Sequence, residues 1–193
     1  MGFIDPECEA RYLLRDVHTL SARAIVAHHG LTVLVVPGLK AEACFATIHG
    51  RPTICLRGKL PAVALRWALL HELAEWHLAR LEYRGEDVET VAEAITAALV
   101  APRDVYQRAH AEHGTDFQAL GEAFAATQTA MALRLGEVTG RPVLVVTPAA
   151  VRVRGEPWGW PSVDECRRLA KNDRPGLVRV GLGERKRTAI LAA

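Results

Sequence analysis

Residues 62–83 contain no glycine or proline, and the run is bracketed by Pro61 and Gly85. Proline suits the first turn of a helix, where N–H groups have no partner to lose, and glycine suits the end. The run is therefore expected as one long helix around which the rest must pack. Strand-forming runs precede it: "LTVLVV" (31–36), closed by Pro37-Gly38, then "ACFATI" (43–48) and "PTICLR" (52–57). The "HGR" between the last two predicts a hairpin. Upstream, 7–29 carry helical spacing as far as Gly30, with Ser21 placed to cap a second helix.

Downstream, a helix is expected over 87–100 and stops at Pro102. Residues 103–112 and 116–137 keep helical periodicity, interrupted by Gly114 and Gly121. Strand composition returns in "PVLVVT" (142–147), "AVRVR" (150–154) and "GLVRVGL" (176–182), with "GEPWGWP" (155–161) a rigid loop among them. The expected fold class is α+β: a small N-terminal sheet, a long helix, a helical centre and a β-rich C-terminal region.

The chain of 193 residues suits one domain, or a domain with an appendage. With 50% hydrophobic and 24% charged residues, its composition is that of a soluble globular protein. No apolar run approaches the roughly 20 residues of a membrane span. The first residues are acidic where a signal peptide needs basic ones, and Pro6 breaks a myristoylation signal. A cytoplasmic location without a membrane partner is expected. Cys8, Cys44, Cys55 and Cys166 form no C-x-x-C pair and are read as free thiols, which argues against zinc held by cysteines. Basic residues concentrate beyond Val151, but a net charge of +2 is too small to argue for direct nucleic-acid binding.

The chemistry lies in "LLHELAEWHLAR" (69–80). His71 and Glu72 open the zinc-protease pattern H-E-x-x-H, but Glu75 stands where the second histidine belongs. On a helix Glu72 lies about 100° from His71, and Glu75 comes round to about 40° from it. His77 lies about 240° away, so it cannot share an ion with His71. Any second ligand on this helix must be Glu75. A carboxylate oxygen binds zinc at nearly the distance of an imidazole nitrogen. A His/Glu/Glu site is harder, and Mn2+ or Fe2+ would compete with Zn2+ for it. H-E-x-x-E also arises as plain solvated helix surface.

The residues around this helix resemble the ImmA/IrrE family of bacterial metallopeptidases, whose active helix has the form R-x-x-L-A-H-E-L-G-H. Arg66, Leu69, His71, Glu72 and Leu73 match it, while Ala74 and Glu75 replace its glycine and second histidine. "ETVAEAITAALVAP" follows the family's next signature through Glu89, Ala92, Ala97, Leu99 and Pro102, with Glu93 at its Asn/Asp position. "LGEAFAATQTAMALRLGEV" (120–138) is similar to its helix-turn-helix-like segment through Leu120, Phe124, Ala130, Arg134 and Leu135.

The resemblance implies a zincin-like metalloprotease domain over 1–140, including a helix-turn-helix-like segment at 103–138, followed by a β-rich extension at 141–193. It implies His71 and Glu89 as metal ligands alongside Glu75, and Glu72 as the general base acting on metal-bound water. Glu93 would orient the His71 ring. Tyr83, Tyr106, His110 and His113 remain open as the group stabilising the oxyanion. The polar residues Gln128, Thr129 and Arg134 are expected on the exposed face of the helix-turn-helix-like segment. The implied function is a metal-dependent endopeptidase. It would cleave a helix-turn-helix transcriptional repressor and so release a stress, mobile-element or phage-defence programme. The alternative is a pseudoprotease that has lost catalysis and regulates by binding the repressor.

Overall fold

The computed structural model describes residues 4–19, 21–85, 87–141, 143–146 and 168, and the backbone of 151–154, 177–182 and 187–192. The chain forms two compact units, Met1–Pro102 and Arg103–Ala193.

The first unit begins with α1 (Pro6–Leu13), where the Asp5 carboxylate accepts from the Glu7 amide and Pro6 occupies the first turn. α2 (Ala22–His28) starts just after Ser21, which takes the N-cap position as expected but makes no side-chain capping bond. Three strands follow: β1 (Thr32–Val36), β2 (Ala43–Ile48) and β3 (Arg51–Arg57). β2 and β3 are the expected antiparallel hairpin, joined through His49 (φ 50°) and Gly50 (φ 74°). Two successive positive φ values match the right-handed twist of the flanking strands, which is why two-residue hairpins favour this turn. β1 joins in parallel, giving the order β1-β3-β2.

The long helix is α3 (Ala62–Arg80), opened by Pro61. It ends before Tyr83 because Glu82 turns to φ 53°. α4 (Val88–Val100) is capped by Asp87, whose carboxylate accepts from the Thr90 amide. α3 packs on α4, β2 and β3, α1 packs on α4, and α2 packs on α3 and β1. Leu69, Leu70, Leu73, Ile95 and Leu99 are fully buried. His77 is buried as well, its Nε2 2.7 Å from the Glu9 carboxylate, which ties α1 to α3.

The second unit holds α5 (Arg103–His113), α6 (Phe117–Phe124) and α7 (Gln128–Thr139), then β4 (Val143–Val146), β5 (Val151–Arg154), β6 (Leu177–Leu182) and β7 (Arg187–Ala192). The four strands form an antiparallel sheet in the order β5-β4-β7-β6. β7 was not expected from "RTAILA", yet it sits between β4 and β6. The expected loop 155–161 lies outside the described residues.

The α+β class is therefore as expected, and the two compact units meet at 102/103, inside the expected 1–140 domain. The reason is packing. α7 lies against β4 and β5, and all four residues of β4 are buried, so the helix-turn-helix-like segment and the β-rich end share one core.

That packing also changes the character of α7. Thr129, Met131 to Gly136 and Val138 are all buried. Arg134, expected on an exposed face, is only 1% exposed and pairs with Glu137 at 3.2 Å. The Tyr106 hydroxyl donates to the Met131 carbonyl at 2.6 Å, fixing α5 against α7. Gln128, Glu137 and Thr139 remain the polar side chains of α7 that are not buried.

The turn into α7 is tight. Ala125 takes φ 46°, a left-handed conformation that costs an L-residue roughly 1–2 kcal/mol. A Cβ on Gly121 would come within 2.9 Å of the Ala126 carbonyl oxygen. Ala125→Gly should therefore raise stability by about 0.5–1 kcal/mol, the relieved strain outweighing the added chain entropy. Gly121→Ala should lower it. Urea unfolding of the two variants beside the parent checks both signs.

Candidate metal centre

Helical geometry places His71 and Glu75 one turn apart on α3, and α4 brings Glu89 to them from its first turn. His71 Nε2 is 3.6 Å from Glu75 Oε1 and 3.4 Å from Glu89 Oε1. One ligand atom from each of the three residues lies within 4.8 Å of the other two. Around a tetrahedral ion with bonds of about 2.0–2.2 Å, neighbouring ligand atoms sit about 3.3–3.6 Å apart. The two His71 distances already match that spacing, so this group could hold a metal ion.

The opening faces solvent. The Glu89 side chain is 66% exposed, while that of His71 is 17% exposed. An acid in the first turn of α4 is also where the helix dipole favours negative charge.

Glu72 points elsewhere in part. Its side chain is buried, and its carboxylate accepts a hydrogen bond from the Phe45 backbone amide on β2. Burial pushes its pKa up, and Glu75 and Glu89 push the same way, against His71 and the Phe45 amide. β2 is an edge strand, so this amide is one that an added peptide strand would otherwise use. Nothing in the sequence could have revealed the contact, because a backbone amide has no side-chain signature.

The structure gives the other expected residues mixed outcomes. His77 is not a ligand; it is taken up by Glu9. Glu93 lies on α4 one turn after Glu89, but His71 Nδ1 is buried with no hydrogen-bond partner among the described residues. The structure therefore does not bring the Glu93 carboxylate onto that nitrogen. Tyr106, one of the groups left open for oxyanion stabilisation, is buried, and its hydroxyl is committed to Met131.

No family model matches the chain, and no curated protein matches it. Among solved structures it is similar to a Mycobacterium tuberculosis transcriptional regulator. The two share 14% sequence identity with a TM-score of 0.66, over 97% of this chain and 86% of that one. This likeness shows a shared fold. It also corrects the expected function: the likeness points to a regulator rather than to an endopeptidase that cleaves a repressor.

Titration of the metal-free protein with Mn2+ or Zn2+ should show one saturable site. His71→Ala, Glu75→Ala and Glu89→Ala should each weaken it by about tenfold or more, because each removes one of three protein ligands. Glu72→Gln should bind nearly as well as the parent, since its carboxylate is held by Phe45. Affinity unchanged from the parent in the Glu75 and Glu89 variants would show that the ion is held elsewhere.

Proposed function

We propose that this chain is a transcriptional regulator whose first unit carries a divalent-cation site made by His71, Glu75 and Glu89. The observation that carries the reading is the convergence of these three ligand atoms within 4.8 Å in a fold similar to that of a transcriptional regulator. The ImmA/IrrE-like residues support the metal half of the reading, because they place Glu89 in register with His71. The order of a small sheet, a helix bearing His71 and a helix bearing Glu89 supports a zincin-like reading of the first unit.

One imidazole nitrogen and two carboxylate oxygens make a donor set open to Zn2+, and to Mn2+ and Fe2+ as competitors. Bound there, an ion would supply a positive charge against which His71 and Glu75 of α3 and Glu89 of α4 are held together. His71 and Glu75 are fixed by α3, and Glu89 closes the site from the solvent side. The regulator acts in the cytoplasm, and not by inserting α7 into DNA, since most of that helix is buried. Among the described residues no helix is long and apolar enough to cross a membrane.

The test is made in the cell that encodes the chain. Deleting it should change a defined set of transcripts, and the parent sequence should restore them. Glu89→Ala and Glu75→Ala should restore them poorly, or without the response to divalent-ion supply seen with the parent. Unchanged transcripts on deletion would remove the regulator reading. Full restoration by both variants would separate regulation from the cation site.

A further inference from the structure

Cys44 and Cys55 sit directly opposite each other on β2 and β3. Both are free thiols, close enough to influence each other electrostatically. The ladder fixes their spacing. The Arg57 amide donates to the Glu42 carbonyl at 2.8 Å, so that pair is a hydrogen-bonded one. Alternation along an antiparallel ladder makes Leu56 and Ala43 the next, non-bonded pair, and Cys55 and Cys44 a bonded pair again. Residues facing each other in such a pair have Cα atoms about 5.5 Å apart. Disulfides span Cα separations of about 4.4–6.8 Å. The Cα separation of such a pair therefore lies within the range a disulfide spans, and the Cβ atoms need to close by about 1 Å.

Cys44 also has a place relative to the metal centre. It precedes Phe45, whose amide holds Glu72, and its thiol lies close enough to Glu72 to feel that carboxylate. A covalent link at this position would act on the strand from which Glu72 is suspended, next to His71.

We infer that Cys44 and Cys55 are a reversible dithiol–disulfide pair, oxidised by hydroperoxides and reduced by small thiols, whose state tunes the cation site through β2. Cys44 is half-buried and Cys55 buried, so the peroxide meets Cys44 first. The Cys44 sulfur attacks the peroxide and becomes a sulfenic acid, releasing an alcohol, or water from hydrogen peroxide. The Cys55 sulfur then attacks the Cys44 sulfur and expels water. Two thiols and one peroxide thus give one disulfide, an alcohol or water, and a further water. Burial, and then the neighbouring Cys55 and Glu72, push the Cys44 thiol up. Oxidation is accordingly slow at neutral pH and quickens as pH rises and the thiolate fraction grows.

The test uses the full, metal-free chain treated with hydrogen peroxide, then denatured, alkylated and digested with trypsin. Trypsin does not cut the Arg51–Pro52 bond, so both cysteines fall in one peptide, 41–57. That peptide should become lighter by two hydrogens and resist alkylation, and dithiothreitol should restore both thiols. The Cys55→Ser chain should instead carry an alkylated or over-oxidised Cys44. Separate over-oxidation of the two cysteines in the parent, or two freely alkylated thiols, would overturn the pair.

The coupling rests on the cation site proposed above and is read separately. Mn2+, which has little affinity for thiols, should bind the oxidised and reduced chains with affinities differing by about fivefold or more. Equal affinities would overturn the coupling. Failure of Mn2+ to bind either form would count against the cation site and so also against the coupling, while the peptide result would still decide the disulfide.

Discussion

The position of Glu89 relative to His71 depends on how α4 lies along α3. Two contacts fix that register. Arg66 Nη2, near the start of α3, donates to the Val100 carbonyl at 3.2 Å, satisfying an acceptor in the last turn of α4. Further along α3, His71 meets Glu89 in the first turn of α4. The helices therefore run antiparallel, with fully buried leucines and Ile95 between these two points in the sequence. A slip of one helical turn would carry Glu89 about 5.4 Å along the axis, far outside a metal–oxygen bond. Arg66 is thus a positioning residue for a site it does not touch.

What could be read from the sequence follows from how local each signal is. The long helix and the hairpin are written in Pro61, Gly85 and Gly50, which act on their own backbone. Glu75 as a partner for His71 follows from helical angles alone. Glu89 does not, because its approach depends on packing between two helices, and only resemblance to a family pointed to it. β7 was missed because six residues of mixed composition become a strand only when β4 and β6 flank them. The helix-turn-helix-like segment shows the opposite failure. Periodicity located its helices, but nothing in the residues said that α7 would be covered by β4 and β5, or that Arg134 would be buried with Glu137.

The functional reading turned on a distinction that motifs do not make. His71, Glu72 and Glu89 are the residue types that metal-dependent hydrolysis needs, and a helix can place them without the protein being a hydrolase. Ligand geometry reports what a site can hold, whereas the reaction depends on what else reaches it. Here the residue expected to be the base is buried and bonded to an edge-strand amide, and the fold is shared with a regulator. The metal site and the peptidase activity are separable claims, and only the first has structural support.

Charge explains how this group could hold a cation. Glu72, Glu75 and Glu89 lie around a single imidazole, and Glu72 is pushed toward its neutral form first by burial and then by the charges of Glu75 and Glu89. A divalent ion turns that repulsion into attraction. Because its ligands come from both α3 and α4, binding stabilises the contact between the helices by mass action. At an ion concentration about 100 times the dissociation constant, this contributes about 2.7 kcal/mol to the folded unit. That is comparable to burying one core side chain, and it is delivered at the exposed end of α4, where Glu89 is the most exposed of the ligands. The first turn of α4 is thus the part of this unit whose order would depend most on occupancy.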